Sequence, residues 1–418
     1  MSKNVIYAQS GGVTAVINAS ACGVIETARA HPGRIGKIYA GQNGILGILR
    51  EKLIDTSLES DTDIARLKFT PGGAFGSCRY KLKKAEENPT EYKRIIDVFQ
   101  AHNIGYFFYN GGGDSQDTTW KIANIAKSMN YPLVAIGIPK TVDNDLPVTD
   151  SSPGFGSVAK YVATSIREAS YDIASMAETS TRVFVLEVMG RHAGWITASC
   201  ALAKEYADDA PHLLLLPERP FNEASFLDKV KITVARQGYC VVAVSEGVRA
   251  ENGNFLSETG MRDAFGHAQL GGVAPFIANL VQTKLSLKVH WAVADYLQRS
   301  ARHIASLTDV EQAYAVGKAA VKYALEGENT IMPIIHRLSD KPYKWEISKV
   351  QLSEIANVEK HLPEDFINKD GYGITEACHN YLLPLIQGES PVPMKNGLPD
   401  FVRLKNRLIE PQLPPYAV

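Results

Sequence analysis

The sequence predicts an α/β protein built on doubly wound, mostly parallel sheets. Three observations lead there. Short β-branched or aromatic runs recur, each followed by small or polar turn residues and then a helical pattern. The runs are near-continuously apolar, as strands covered on both faces require. Polar, glycine-rich clusters stand at the carboxyl ends of four of the runs, where such sheets bind ligands.

In chain order, Val5–Gln9 reads as a strand that passes through Ser10-Gly11-Gly12 into a helix over Ala15–Ala30. Ile35–Ala40 is the next strand. A helix over Glu91–His102 precedes the strand Tyr106–Asn110, which enters the helix Gln116–Met129 through Gly111-Gly112-Gly113-Asp114. Leu133–Pro139 ends in Lys140-Thr141-Val142-Asp143 and is followed by a helix over Ser157–Ala177. Val183–Val188 ends in Met189-Gly190-Arg191, with a helix expected over Ala193–Tyr206. The strands His212–Pro217 and Cys240–Glu246 flank a helix over Glu223–Gln237, and Val310–Leu325 is the last strong helical pattern. From about Lys341 the chain turns irregular and, later, rich in proline (Pro391, Pro393, Pro399, Pro411, Pro414, Pro415). That stretch, residues 341–418, is expected as an extension packed on a body formed by residues 1–340. No fixed-period repeat and no low-complexity segment interrupts the pattern.

With 418 residues, 45% of them hydrophobic and 21% charged, the chain has material for two or three domain-sized units. A formal net charge of −1 supplies no global field for nucleic acid or an anionic membrane. An anionic substrate needs local basic residues instead. The five cysteines (Cys22, Cys78, Cys200, Cys240, Cys378) are scattered, odd in number and without a C-x-x-C pair, which fits reduced thiols. The first residues, MSKNVIYAQSGG, lack the apolar stretch of a signal peptide, and no apolar run approaches the roughly 18 residues of a membrane helix. A cytoplasmic location is the expectation.

Four clusters carry chemistry. Ser10-Gly11-Gly12 could set backbone amides against a phosphate at a helix start, although a plain turn explains it equally well. No Walker A pattern is present, which disfavours an ordinary P-loop nucleotidase. In Gly111-Gly112-Gly113-Asp114-Ser115 the glycines allow close approach to a ligand, while Ser115 can cap the next helix. Asp114 beside a phosphate site would repel it unless a metal or lysine intervenes. Pro139-Lys140-Thr141-Val142-Asp143-Asn144-Asp145 crowds two carboxylates, a lysine and a threonine at one strand end. Asp143 could accept a proton from an attacking hydroxyl, Lys140 could neutralise phosphoryl charge and Asp145 could hold a metal directly or through water. An Asx-turn with a solvated lysine accounts for Asn144 and one aspartate but not for the set. In the fourth cluster Arg191 can reach a transferring phosphoryl group, and its place at a helix start opposes the helix dipole. His192 reads as structural or supporting. Glu246 could bind sugar hydroxyls. Tyr296-Leu297-Gln298-Arg299 with Arg302 and His303 forms a cationic patch that, paired with Arg182, suits a sugar phosphate.

Taken together these segments resemble the phosphofructokinases. The matching pieces are S-G-G, G-G-A-F-G-S-C-R (Gly72–Arg79), G-G-G-D-S, P-K-T-V-D-N-D, E-V-M-G-R, S-E-G-V and Q-R-S, in the family's order and covering most of residues 1 to about 330. The resemblance implies two similar doubly wound (Rossmann-like) α/β domains, interleaved, with the active site in the cleft. It implies Asp143 as general base, with Lys140, Asp114 and Arg191 completing the catalytic set. Thr141, Val142, Asp143, Met189, Gly190, Arg191, Glu246, Tyr296, Leu297, Gln298 and Arg299 look like sugar-phosphate contacts. Arg182 matches an arginine lent across a subunit interface, which implies a homodimer or homotetramer. Gly11, Gly12, Arg79, Gly112, Gly113, Asp114 and Lys140 look like the phosphoryl-donor side, and Asp114 and Asp145 like the residues nearest magnesium.

Two positions bear on the donor. ATP-dependent members have G-G-D-G-S and P-G-T-I-D-N-D, whereas Asp114 and Lys140 replace the corresponding glycines here. That pairing resembles the pyrophosphate-dependent members. A carboxylate at Asp114 would exclude the α-phosphate of ATP by bulk and like charge. Lys140 could stabilise orthophosphate as it leaves. The sequence departs from relatives at Gly113, where an acidic residue implicated in metal binding is usual, and at Tyr296, where ATP-using bacterial members carry histidine. Cys22 and Glu26 stand where those members place effector-site arginines, so the resemblance implies an enzyme without that nucleotide regulation. The expected reaction is reversible transfer from pyrophosphate to fructose 6-phosphate, serving glycolysis or gluconeogenesis. The rivals are an ATP-dependent phosphofructokinase and a non-catalytic regulatory subunit of the same fold. A nicotinamide dehydrogenase is remote, since no G-x-G-x-x-G follows a strand.

Overall fold

Two sheets position everything that follows. The computed structural model describes residues 2–83, 86–256, 258–262, 268–270 and 272–417. The strands β1 (Lys3–Ser10), β2 (Ile35–Gly41), β3 (Leu53–Asp55), β4 (Ser77–Cys78), β5 (Ile104–Gly111) and β6 (Val134–Pro139) begin the larger sheet. The chain then leaves it along the helix Phe155–Met176. It builds a smaller sheet from β7 (Val183–Val188), β8 (Leu213–Leu215) and β9 (Cys240–Ser245). A short antiparallel pair, β10 (Glu258–Arg262) and β11 (Ala268–Leu270), precedes the helix Val273–Leu285 and β12 (Val289–Val293). The helix Leu307–Glu326 leads back, and β13 (Ile331–Asp340) and β14 (Tyr343–Gln351) complete the larger sheet. Strand order is β14-β13-β6-β5-β1-β2-β3 in the larger sheet, with β4 on β1, and β12-β7-β9-β8 in the smaller.

The central strands of both sheets are buried on both faces. Along β1, Val5 and Tyr7 enter one apolar core and Ile6 and Ala8 another. Along β9, Val241 and Ala243 face one core while Cys240, Val242 and Val244 face the next. That alternation explains why the strands read as unbroken apolar runs. The returning helix Leu307–Glu326 crosses Ile17–Arg29 at very close range. A Cβ at Gly23 would lie 2.3 Å from the Tyr314 carbonyl oxygen, and one at Gly317 would lie 2.1 Å from that of Ser20. Any larger side chain at either position would force the two helices apart, and with them the connection between the sheets.

The register brings the polar clusters together. Gly111 of β5 stands opposite Pro139 of β6, so the glycine loop and Lys140 emerge side by side. Val188 of β7 stands opposite Ser245 of β9, which sets Met189–Arg191 beside Glu246.

The structure differs from the sequence reading in places. The helix expected over Ala193–Tyr206 is one turn, Trp195–Ser199, continued by a 3-10 turn over Cys200–Ala203. The edges of the larger sheet are antiparallel, β3 on β2 and β14 on β13. Those strands are very short or half-exposed and lack the apolar run on which the reading relied. The same holds for β12, an edge strand whose His290, Trp291 and Val293 are exposed. The domain border expected at 340/341 falls on the turn between β13 and β14. Beyond β14 the chain lies mostly as irregular segments across both sheets.

Candidate active site

The polar clusters at the strand ends of both sheets face one cleft of about 800 Å³. Gly11, Gly12, Arg79, Gly112, Gly113, Asp114, Lys140, Thr141, Val142, Asp143 and Asp145 line it from the first sheet. Met189, Arg191, Glu246, Tyr296, Gln298 and Arg299 line it from the second.

One end of the cleft is a cradle for anions. Gly11 has φ +73°, a conformation glycine adopts without strain, and its carbonyl accepts from the Ser77 hydroxyl at 2.7 Å. Lys140 reaches across from β6 and donates to the Gly12 carbonyl at 2.6 Å. A Cβ at Gly12 would lie 2.8 Å from an Arg299 guanidinium nitrogen and 3.4 Å from one of Arg79. Three cationic groups therefore converge on two glycines. Burial pushes Lys140 down to about 8, offset by the attraction of Asp145 and reinforced by repulsion from Arg79 and Arg299. Burial likewise lowers Arg299, whose guanidinium stacks 3.7 Å over the Tyr296 ring. An ammonium held below its ordinary range by burial, and further by neighbouring cations, is drawn back up when an anion arrives beside it.

At the more open end of the cradle, Asp114 pairs with Lys81 at 2.8 Å. Lys81 was not anticipated; only its place two residues after Arg79 hints at it. Gly111 is sterically required, because a Cβ there would meet the Ser115 hydroxyl at 2.0 Å. At Gly113 a Cβ would meet open space, so the departure from relatives at that position is not imposed by packing.

The middle of the cleft concentrates carboxylates. Asp143 and Asp145 are half-buried at its base. Burial pushes Asp143 up, and the negative charges of Asp145 and Glu246 push the same way, while Arg191 and Lys140 draw it down. Asp145 is raised by burial too, against hydrogen bonding from the Thr141 hydroxyl. Its Oδ1 is buried without a partner. Two adjacent carboxylates, one with an orphaned oxygen, are the kind of arrangement a hard divalent cation relieves. Among the described residues no cluster of three or more His, Cys, Asp or Glu side chains could hold a metal. A cation here would therefore need further oxygens, from water or from a bound phosphate. Glu246 is raised by burial and drawn down by Arg191, and it accepts from the Gly190 amide at 3.4 Å.

Some expected contacts are placed elsewhere. Gly190 is buried behind the cleft wall, at φ +131°. Leu297 is 64% exposed, one residue past Tyr296 on a short helix (Asp295–Ser300), and so turned away. Arg182 precedes the first residue of β7, a full strand length from the cleft in the same chain. Arg302 is not part of a cationic patch. It is buried and donates to the carbonyls of Lys68 and Ser390 and to the Ser390 hydroxyl. At the expected effector positions Cys22 is buried, and Glu26 accepts from the Tyr314 hydroxyl at 2.7 Å. The extension supplies a cleft residue the sequence did not flag: Glu359, whose carboxylate meets His192 Nδ1 at 3.0 Å.

The phosphofructokinase family model matches residues 4–324. A pyrophosphate–fructose 6-phosphate 1-phosphotransferase from Halomonas elongata is 61% identical over 415 residues, covering 99% of each chain. The enzyme of that name from Methylococcus capsulatus is 61% identical over 412 residues, covering 99% of this chain and 98% of its own. A crystal structure of a pyrophosphate-dependent phosphofructokinase from Nitrosospira multiformis superposes with a TM-score of 0.93, at 57% identity and full coverage of both chains. The likeness spans the whole chain in sequence and in fold, and this chain belongs to the phosphofructokinase family.

Proposed function

We propose that the chain transfers a phosphoryl group, reversibly, from pyrophosphate to the 1-hydroxyl of fructose 6-phosphate. The products are fructose 1,6-bisphosphate and orthophosphate. The observation that carries the choice of donor is the cradle itself: Lys140 fills its inner end while Asp114, on Lys81, stands at its outer end. In this reading a two-phosphate donor occupies the space between them. A third phosphate would meet the Asp114 carboxylate. The names of the highly identical relatives support the same reading.

In this reading Asp143 takes the proton of the sugar 1-hydroxyl as its oxygen bonds to the transferring phosphorus. The bridging P–O bond breaks and orthophosphate departs against Lys140. Arg191, beside Asp143 and Glu246, neutralises charge on the equatorial oxygens. Arg79 and Arg299 hold the donor over Gly12, and Glu246 and Tyr296 orient the sugar. Asp145 would hold magnesium together with donor oxygens, with Asp114 the alternative ligand. When bound, that ion neutralises charge between donor and acceptor. Arg182 is assigned to a neighbouring subunit's sugar phosphate, in a homodimer or homotetramer. The internal Glu26–Tyr314 contact supports the absence of nucleotide regulation at the first helix.

Assay of fructose 1,6-bisphosphate formation with pyrophosphate or ATP in parallel tests this. Turnover with pyrophosphate alone is expected. Turnover with ATP alone would overturn the roles of Asp114 and Lys140. Turnover with neither would favour a regulatory subunit, a reading the intact set Asp143, Lys140 and Arg191 argues against.

A further inference from the structure

The segment Glu359–Leu362 lies beyond the family model, which ends at residue 324. It runs without regular structure between the two loops that carry the catalytic groups. Lys360 faces the first loop. Its backbone amide donates to the Asp145 carbonyl at 2.7 Å. Its ammonium donates to the carbonyls of Asp150 at 2.9 Å and Thr149 at 3.1 Å, and to Asn144 Oδ1 at 3.4 Å. Three donors and one amide are thus engaged by a single loop, residues 144–150. Asn144 sits there at φ +55°, between Asp143 and Asp145. Its side chain is fixed further by the Ser152 amide and the Tyr381 hydroxyl, both at 3.0 Å.

The neighbours of Lys360 face the second loop. Glu359 meets His192 Nδ1 at 3.0 Å, and His361 Nδ1 lies 3.0 Å from the His192 carbonyl oxygen. Glu218 Oε1 accepts from the Leu362 amide at 3.1 Å and from the Gly194 amide at 2.8 Å. Trp195, at the start of the following helix, donates to the Lys360 carbonyl at 3.0 Å, and its ring lies 5.3 Å from the ammonium. Four consecutive residues therefore tie the loop bearing Asp143 to the loop bearing Arg191. Those loops come from different sheets.

We propose that Lys360 is a positioning residue for phosphoryl transfer, clamping the Asp143 loop against the Arg191 loop without touching the reacting atoms. The assignment rests on the reaction proposed above. Base and phosphoryl-binding arginine act on one in-line geometry, and a displacement of about 1 Å between them costs on the order of 100-fold in rate. A purely structural lysine would instead affect folding and leave the turnover of the folded protein intact.

The test is steady-state kinetics of the full-length Lys360→Met protein in both directions, with thermal unfolding measured alongside. The expected result is a fall in kcat on the order of 100-fold, with KM for pyrophosphate and for fructose 6-phosphate each changed less than about threefold. Wild-type kcat in the folded variant would overturn the proposal, and so would a loss carried entirely by KM. If Lys360→Met does not fold, Trp195→Phe decides. It removes the bond to the Lys360 carbonyl and keeps an aromatic face. A several-fold fall in kcat at unchanged KM supports the clamp, and unchanged kcat sinks it. Wild-type protein without pyrophosphate turnover would overturn the function and this inference together. Wild-type turnover with a variant of normal kcat overturns the inference alone.

Discussion

Asp309, buried, and Asp143, half-buried at the base of the cleft, are both carboxyl groups raised by burial, and they are treated in opposite ways. Asp309 sits at the start of the helix Leu307–Glu326 and accepts from the backbone amides of Gly154 at 2.8 Å and Ser157 at 2.9 Å. It thereby caps the long helix Phe155–Met176 that joins the two sheets. Burial raises Asp309, and hydrogen bonds from Ser157 and the Gly154 amide oppose the rise. Asp143 is raised by burial and then raised further by two like charges, Asp145 and Glu246. One carboxylate is satisfied by the fold. The other is left for the chemistry, where substrate and cations complete its environment. Such local cost at a working site, balanced by well-satisfied groups elsewhere, is common.

The largest effect that could break this contrast is on turnover. Asp143→Ala is expected to lower kcat on the order of 10³-fold, the scale of a lost general base, with the fold intact by circular dichroism. Turnover within tenfold of wild type would remove Asp143 from the mechanism. Asp143→Asn sharpens the point through stability. A carboxyl whose folded pKa is raised contributes stability fully below its unfolded pKa and loses it as pH rises through the folded value. At neutral pH, well above the unfolded value, this carboxyl is therefore costlier to enclose than an amide, and the amide variant should melt at or above the wild-type temperature.

Asp309→Ala should do the reverse. Two buried amides lose their acceptor, so unfolding free energy falls by about 3 kcal/mol while kcat of the folded protein stays near wild type. A variant as stable as wild type would show that the cap contributes little.

A smaller effect is the shape of the pH profile. Asp143 must be ionised to accept a proton, so its raised pKa moves the acid limb of kcat/KM above the ordinary carboxylate range. Lys140, pushed down to about 8 in the free protein, must be protonated to hold the donor. The KM for pyrophosphate should therefore rise above about pH 8, approaching about tenfold per pH unit. A KM flat to pH 10 would count against Lys140 as a donor contact. The smallest change is expected from Lys81→Ala. It breaks a partly exposed pair worth about 0.5 kcal/mol, so KM for pyrophosphate should rise only about two- to threefold.

Much of this was legible before any coordinates. The seven strands named from their apolar runs exist within a residue or two of their expected ends, because a strand covered on both faces has few sequences open to it. The clusters at Gly11-Gly12, Gly111–Asp114, Lys140–Asp145 and Met189–Arg191 were each visible, since glycine and charge at a strand end are local signals. The edge strands β3, β12 and β14 were not, because partial exposure relaxes the apolar pattern. Nor were Lys81, Glu359 and Lys360. Each is an ordinary charged residue by composition. Lys360 lies more than two hundred residues from the loop it supports, and Glu359 lies 167 residues from His192.

The sequence by itself determined the class of fold, the family, and the groups able to accept a proton and bind phosphate, because these depend on residue type and short spacing. Only the tertiary structure decided which of those groups meet. It brought Arg299 and Arg79 over Gly12, left Arg182 a strand length away, and laid the extension between the two loops. Such juxtapositions depend on register and on how closely helices can cross, as at Gly23 and Gly317, and no short stretch of chain encodes them alone.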